Sequence, residues 1–266
     1  MSEVDPDYEA AVRDGVLRVR RPGTEWLSTG ANGGRIRTDC AYNVSVPEGW
    51  NRTDLETYVD ERLERVGFLE GRISATAGGR GPALLTGVDV VHARGARCGP
   101  VVAYATAGLS NPAALPMDPS GGSLPDDAGP DNLGSDDADA SDDPRPVGTV
   151  NVLVGTTRSL PDGALANLVA VVAEAKAAAL LATTGFPGTT TDAVVAGHDP
   201  DGVPARFSGS ATPVGAAARA CVREAVRASL EARYDDGETI PESVSDASYG
   251  VSTDARATVF RPGQSE

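Results

Sequence analysis

Residues 162 to 183, DGALANLVAVVAEAKAAALLAT, constrain the fold of this chain more than any other stretch. They read as a helix. One stripe holds Leu165, Leu168, Val169, Val172, Lys176, Ala179 and Leu180. The opposite side holds Val171, Glu174, Ala178 and Leu181. Apolar residues cover the helix nearly all round, so it is expected to be largely buried, sandwiched between layers. Its internal polar residues are Asn167, Glu174 and Lys176.

Lys176 poses a problem of energetics. An unpaired buried ammonium costs several kcal/mol or more, so it must find partners or lose its proton. The chain's other basic side chains are all arginines, and Lys176 is its one lysine. Keeping a lysine here suggests that a planar guanidinium will not do. A compact ammonium can donate to one buried atom or titrate. Snorkelling to the surface at a helix edge is the plainer alternative.

Strand-like runs flank this helix. TVNVLVG, 149 to 155, precedes it and AVVAG, 193 to 197, follows it. VLRVRRPGTEWLST (16 to 29), IRTDCAYNVSV (36 to 46), ALLTGVDVVHA and PVVAYATAGL also read as extended. Between them, Thr53 and Glu56 predict a capping box ahead of Leu55, Val59, Leu63 and Val66 at helical spacing. Pro213 after the cap Thr212 predicts a helix from about 213 to 233. Strands alternating with helices give a single α/β domain, with a mixed or parallel sheet and a buried central helix at about 162–183. No internal repeat is evident. Residues 113 to 146 are rich in Pro, Gly, Ser and Asp without hydrophobic period, and read as an acidic, disordered loop insertion. The expected domain is 1–234 with that insertion, followed by a polar tail at 235–266 in which SYGVSTDARATVF could add an edge strand.

Composition narrows the partners. The net charge is −15, which disfavours nucleic acid and anionic lipid. Acid excess with few lysines suits a salt-adapted cytoplasmic protein. No run of 18 apolar residues predicts a membrane span, and the acidic start MSEVDPDYEAAVRD does not read as a signal peptide. Cys40, Cys98 and Cys221 are odd in number and scattered, which favours reduced, buried thiols. His92 reads as structural and His198, in GHDPDG, as an exposed turn residue. Neither lies in a metal-ligand spacing or beside a serine suited to a triad.

The chemistry-bearing residues cluster at strand mouths. In TGFPGTTTDAVVAG, Thr189, Thr190, Thr191 and Asp192 precede an apolar strand. Hydroxyls and backbone N–H groups there can bind a carbonyl oxygen or amides, and Asp192 can act as a base or orient a partner. An ordinary turn with local Thr and Asp hydrogen bonds is the bland reading. YATAGLSNPAA places Thr106, Ser110 and Asn111 among small residues. In GTVNVLVG, Thr149 and Asn151 share one strand face, and an Asn inside a strand needs its amide satisfied. Asn32 lies in the Gly-rich LSTGANGG, whose spacing is wrong for a dinucleotide fingerprint.

Taken in order, the blocks LSTGANGG, ATAGLSNPAA, GTVNVLVG, VAEAKAAAL, GTTTDAVVAG and GSATPVG resemble the adenosylcobinamide amidohydrolase family, the CbiZ-type enzymes of archaeal corrinoid salvage. The likeness spans roughly residues 26 to 232, and EAK followed by GTTTDA is its most specific part. It implies hydrolysis of adenosylcobinamide to adenosylcobyric acid and 1-amino-2-propanol, in cobinamide salvage toward coenzyme B12. It implies a corrinoid small molecule as partner and leaves a homo-oligomer open. No protein-bound cofactor is implied, since cobalt enters with the substrate.

Amide hydrolysis needs an activated nucleophile, donors for the oxyanion and a proton for the leaving amine. The residues offer Asp192 or Glu174 to activate water and Lys176 to stabilise the oxyanion or protonate the amine. Thr189, Thr190, Thr191, Asn111 and Asn151 would hold amides, with Thr191 open as a nucleophile. The pocket is expected to be wide, with Trp26 and Trp50 as stacking candidates. Two rivals predict different features. A non-catalytic corrinoid-binding module would not need the buried lysine and acids. A phosphate loop at GTTTD would need a helix directly after the threonines.

Overall fold

The computed structural model describes residues 8–31, 33–47, 50, 52–69, 80–124, 148–235, 237, 239–247 and 249–263. In chain order the elements are β1 (Glu9–Arg13), β2 (Val16–Arg20), β3 (Glu25–Ser28), β4 (Gly34–Arg37), β5 (Cys40–Ser45), α1 (Leu55–Arg65), β6 (Ala83–Thr86), β7 (Arg94–Cys98) and β8 (Val101–Ala107). They continue with β9 (Pro112–Ala114), β10 (Val150–Ser159), α2 (Asp162–Thr184), β11 (Gly188–Thr189), β12 (Ala193–Pro204), α3 (Pro213–Tyr234) and β13 (Val251–Ser252). The strands build a four-stranded sheet, β1-β2-β5-β6, a six-stranded sheet, β4-β3-β12-β10-β8-β7, and a small sheet, β11-β9-β13.

Strand periodicity sets the layers. Along β10, Val150, Val152 and Val154 pack with the helical residues Leu165, Leu168, Val172, Val222 and Val226. The alternate residue Leu153 faces the other way, with Trp26, Leu17, Val19, Ala41 and Leu84. On the outer side of the four-stranded sheet, Val16, Tyr42 and Val44 pack with Tyr58, Val59 and Leu63 of α1. The order is therefore α1, four-stranded sheet, six-stranded sheet, then α2 beside α3. Each fully buried Leu or Val in these three clusters contributes about 1.5–3 kcal/mol. The mixed α/β expectation describes this architecture, with β10–β12 and β5–β6 parallel and most other pairs antiparallel.

Helix α2 is buried along one stripe, including Leu165, Leu168, Val172, Lys176 and Leu180, against β12 and α3. Burial nearly all round is not what forms, because α2 is an outer-layer helix and Leu181 is 50% exposed. By length and hydropathy α2 is also the one helix among the described residues that could cross a membrane.

The two large sheets repeat one topology. β1 and β2 pair antiparallel, β2 pairs antiparallel with β5, and β5 reaches parallel β6 through α1. β7 and β8, then β10, and then β12 through α2, do the same. Register aligns the halves: Asn43 lies between Leu17 and Leu84, and Asn151 lies between Thr106 and Ala193. The repeat is one of connection, which is why it escaped a reading for sequence periodicity.

Several expectations are corrected. The Thr53–Glu56 capping box does not form: α1 starts from Asp54, whose carboxylate is drawn to Arg52, and no side chain caps it. ALLTGVDVVHA is a strand only to Thr86, after which Val90–His92 form a 3-10 turn capped by Asp89. Trp26 cannot stack on a ligand, because it is fully buried between the sheets and donates Nε1 to Thr38 O. Trp50 is half-buried against Tyr58. His198 is buried rather than exposed: β12 runs on through HDPDG, so its Nδ1 accepts from Leu160 N and its Nε2 meets Glu25. Cys98 is exposed at the β7–β8 turn, while Cys221 is buried. Residues 112–114 form β9 and pair with both β11 and β13, the tail strand, so the first two residues of the expected insertion, Ala113 and Ala114, are ordered. Residues 125–146 of it lie outside the described residues.

Candidate functional site

The Gly188–Asp192 turn connects α2 to β12 and lies at the mouth of the parallel β10–β12 pair. Lys176 projects from the buried stripe of α2 and donates its Nζ to Asp192 Oδ2. The ammonium is 8% exposed as a residue, so it does not snorkel. Thr189 N also donates to Oδ2, at 3.1 Å. Oδ1 accepts from Val150 N at 2.8 Å and from Thr189 Oγ1. A carboxylate has about four lone-pair positions. All four on Asp192 are therefore engaged, and the carboxylate ties the helix, the turn and β10 together. Gly188 permits this approach: a Cβ there would fall 2.5 Å from Asp192 Oδ2 and 3.0 Å from Lys176 Nζ.

Three threonines, an asparagine and a glycine complete the turn. Thr191 Oγ1 donates to Gly148 O at 3.1 Å and lies 3.0 Å from Thr149 Oγ1. Asn111 Nδ2 donates to Thr190 Oγ1 at 2.6 Å and lies 3.5 Å from Thr191 Oγ1. Thr190 N in turn donates to Asn111 O at 3.3 Å. Asn111 is buried, and its Oδ1 has no hydrogen-bond partner among the described residues. A Cβ on Gly148 would meet Ser110 Oγ and Asn111 Oδ1, each at 2.7 Å, so glycine brings the β8 and β10 ends together. Thr190 and Thr191 are exposed, whereas Thr149 and Thr189 are buried.

A cleft of about 300 Å³ opens beside this turn. Thr191, Asp192 and Ala193 form one wall. Leu55, Glu56 and Val59 of α1, with Arg80 and Ala83 to Leu85 entering β6, form another, and Thr29, Gly30 and Ala31 close it. Arg80 Nη1 is fixed by Glu56 O at 2.9 Å and Asp60 Oδ1 at 3.0 Å. Its Nε is buried with no hydrogen-bond partner among the described residues. Such a cleft holds on the order of ten water-sized groups. The described walls are therefore narrower than the wide pocket expected from sequence.

The structure brings together Lys176, Asp192, Thr189, Thr190, Thr191, Thr149, Asn111 and Ser110, and separates others. Glu174 lies on the exposed side of α2, 3.4 Å from Arg219 of α3. Thr106 and Asn151 lie beneath the cleft floor, between the sheets: Asn151 Nδ2 donates to Leu85 O at 2.8 Å and to Asn43 Oδ1 at 3.0 Å. Asn43 Nδ2 donates to Thr106 Oγ1 at 2.8 Å. Asn32 lies outside the described residues. Asn43 and Arg80 were not singled out from sequence, and Glu56 only as a helix-capping residue. The likeness of YNVSV to VNVLV could have flagged Asn43, but no local signal marks the other two. Among the described residues, no three His, Cys, Asp or Glu side chains group as metal ligands.

The chain as a whole is similar to known proteins. A family model, described as CbiZ, adenosylcobinamide amidohydrolase, matches residues 2–238. A curated adenosylcobinamide amidohydrolase of Halobacterium salinarum is 55% identical over 255 residues, covering 96% of this chain and 100% of that protein. A curated protein of the same name from Methanosarcina mazei is 27% identical over 219 residues, covering 79% of this chain and 91% of that one. Among solved structures, the PH0078 protein of Pyrococcus horikoshii OT3 is similar at a TM-score of 0.40 and 12% identity, covering 84% of this chain and 78% of that one.

Proposed function

The chain belongs to the adenosylcobinamide amidohydrolase family, and we propose that it hydrolyses the aminopropanol amide of adenosylcobinamide, releasing adenosylcobyric acid and 1-amino-2-propanol. The observation that carries this reading is the 55% identity to a curated amidohydrolase along almost the whole chain. The geometry supports it with a narrow cleft edged by exposed threonine hydroxyls, sized for one amide arm. The macrocycle, with its cobalt, stays outside the described walls. No resident metal enters the scheme. We assign residues 1–234 to a single domain with the acidic insertion at 113–146, followed by the polar tail at 235–266.

In this scheme the arm enters with its amide against the Thr189–Asp192 turn. Thr190, next to the cleft-lining Thr191, accepts from Asn111 and so keeps its own hydrogen free to donate at the cleft edge. Thr191, held by Gly148 O and Thr149, fixes the lip. Asp192 has its oxygens engaged and Lys176 is bound to it from behind the wall, so the two position the turn. Glu174 is too far round α2 to share in the chemistry. Asn151 and Thr106, with Asn43, hold the cleft floor. Incubating the purified chain with adenosylcobinamide and looking for adenosylcobyric acid by mass spectrometry tests the function. Product formation supports it, and recovery of unchanged substrate refutes it.

A further inference from the structure

With Asp192 saturated by donors and Lys176 committed to it, the turn has no described charged group left to move a proton or meet an oxyanion. The opposite wall carries both signs of charge. Among the described residues lining the cleft, Glu56 is the other carboxylate and Arg80 the cation. Topology explains the pairing. Arg80 stands four residues before Leu84, the strand partner of Asn43, and Thr189 stands four before Ala193, the strand partner of Asn151. The cleft thus lies between two equivalent strand mouths, one lined with hydroxyls and the other carrying charge.

We propose that Glu56 and Arg80 are catalytic residues, Glu56 as the base that activates the attacking water and Arg80 as the cation that receives the oxyanion and then the product carboxylate. This rests on the amide-hydrolysis reading. Glu56 takes one proton from water as the water oxygen bonds to the amide carbon. The C–N bond then breaks as the proton passes from Glu56 to the departing nitrogen, and the water's second proton, left on the new carboxylic acid, moves to the freed amine, leaving a carboxylate on the corrin arm and an ammonium. A neutral amide becomes a carboxylate and an ammonium, and this wall carries both signs of charge. The guanidinium of Arg80 is already oriented, because Glu56 O and Asp60 fix Nη1, and Nε remains a buried donor without a described acceptor.

The test compares full-length wild type with Glu56→Gln, Glu56→Asp, Arg80→Met, Arg80→Lys and Asp60→Asn. Thermal melting of each variant establishes that it is folded. Steady-state kinetics with adenosylcobinamide and calorimetric titration with adenosylcobyric acid are then read. Glu56→Gln is expected to lower kcat by about a hundredfold or more, with KM changed less than about threefold and partial recovery in Glu56→Asp. Arg80→Met is expected to lower kcat and weaken binding of the acid about tenfold, while binding of the substrate, whose amide arm is uncharged, holds; Arg80→Lys recovers part. Asp60→Asn keeps the guanidinium and loosens one of its two anchors, so it is expected to lose less than Arg80→Met. Normal turnover in Glu56→Gln, unchanged acid binding in Arg80→Met, or an equal loss in Asp60→Asn overturns the proposal. A wild type that makes no product overturns the hydrolysis reading and the role of Glu56 with it, whereas the titration still judges Arg80.

Discussion

Asn151 donates its side-chain amide to the side-chain oxygen of Asn43 at 3.0 Å, and the two residues hold equivalent places in the two large sheets. Both are fully buried. The contact joins the sheets at a point just beneath the cleft, because Asn151 also donates to Leu85 O. Buried amides are costly to leave unmatched. Replacing Asn43 by alanine strands the Asn151 amide, and the reverse replacement strands Asn43. Each single change is expected to cost about 1–3 kcal/mol, and the double change less than the sum. Urea denaturation of the two single variants and the double variant measures this. Additive losses would show that the contact is not shared.

The Lys176–Asp192 pair is expected to be a strong determinant of stability. Both side chains are nearly buried, at 10% and 12% exposure. Removing one partner leaves an uncompensated charge at a cost of about 3–5 kcal/mol. Lys176→Met and Asp192→Asn should each lower the melting temperature sharply, and Lys176→Arg should also be harmful, because a planar fork does not fit the ammonium's place. Unchanged melting in all three would show that the pair does not hold the turn.

Gly188→Ala offers a milder probe of the same contact. The added Cβ would fall 2.5 Å from Asp192 Oδ2, so the carboxylate must move. Activity is expected to fall further than stability, since the turn shifts while the core stays packed. Comparing kcat with the melting temperature of this variant checks the prediction. A fully active Gly188→Ala protein would mean that the turn tolerates displacement.

Acid should weaken the fold in part through Glu25. Burial pushes its carboxyl up, but hydrogen bonds from His198 and Arg35 outweigh that and hold it below the ordinary value of 4.5. A depressed folded value means that the stabilisation is present above the unfolded value and lost as pH falls through the folded one. Wild type should therefore lose stability below about pH 4.5, and Glu25→Gln should lose less over that range. Denaturant titrations at several pH values measure the two slopes. Equal slopes would contradict the assignment.

The parts of the site legible in sequence were those that broke a local pattern. Lys176 interrupts an apolar helix stripe and Asp192 heads an apolar strand, so each demanded a partner, and the αβ turn brings them together. Glu174 failed because an acidic residue in an apolar helix gives no sign of which side faces the sheet, and it faces solvent. Asn43 sat in an ordinary alternating strand and gained meaning only when a second sheet covered it. Glu56 and Arg80 reach the cleft through the packing of α1 and the entry to β6, which no spacing encodes. His198 was misplaced because HDPDG has turn composition, yet the β10–β12 ladder resumes beyond a register shift, pairing Arg158 with Val203 and Ser159 with Pro204. The layer order likewise depended on which strand face met which cluster.

The most direct measurement is hydrolysis itself, followed in water enriched in heavy oxygen. The purified chain, given adenosylcobinamide, is expected to yield adenosylcobyric acid carrying one heavy oxygen in its new carboxylate, with an equal amount of 1-amino-2-propanol. Corrinoid that binds yet is recovered intact, with no amine released, would contradict the account.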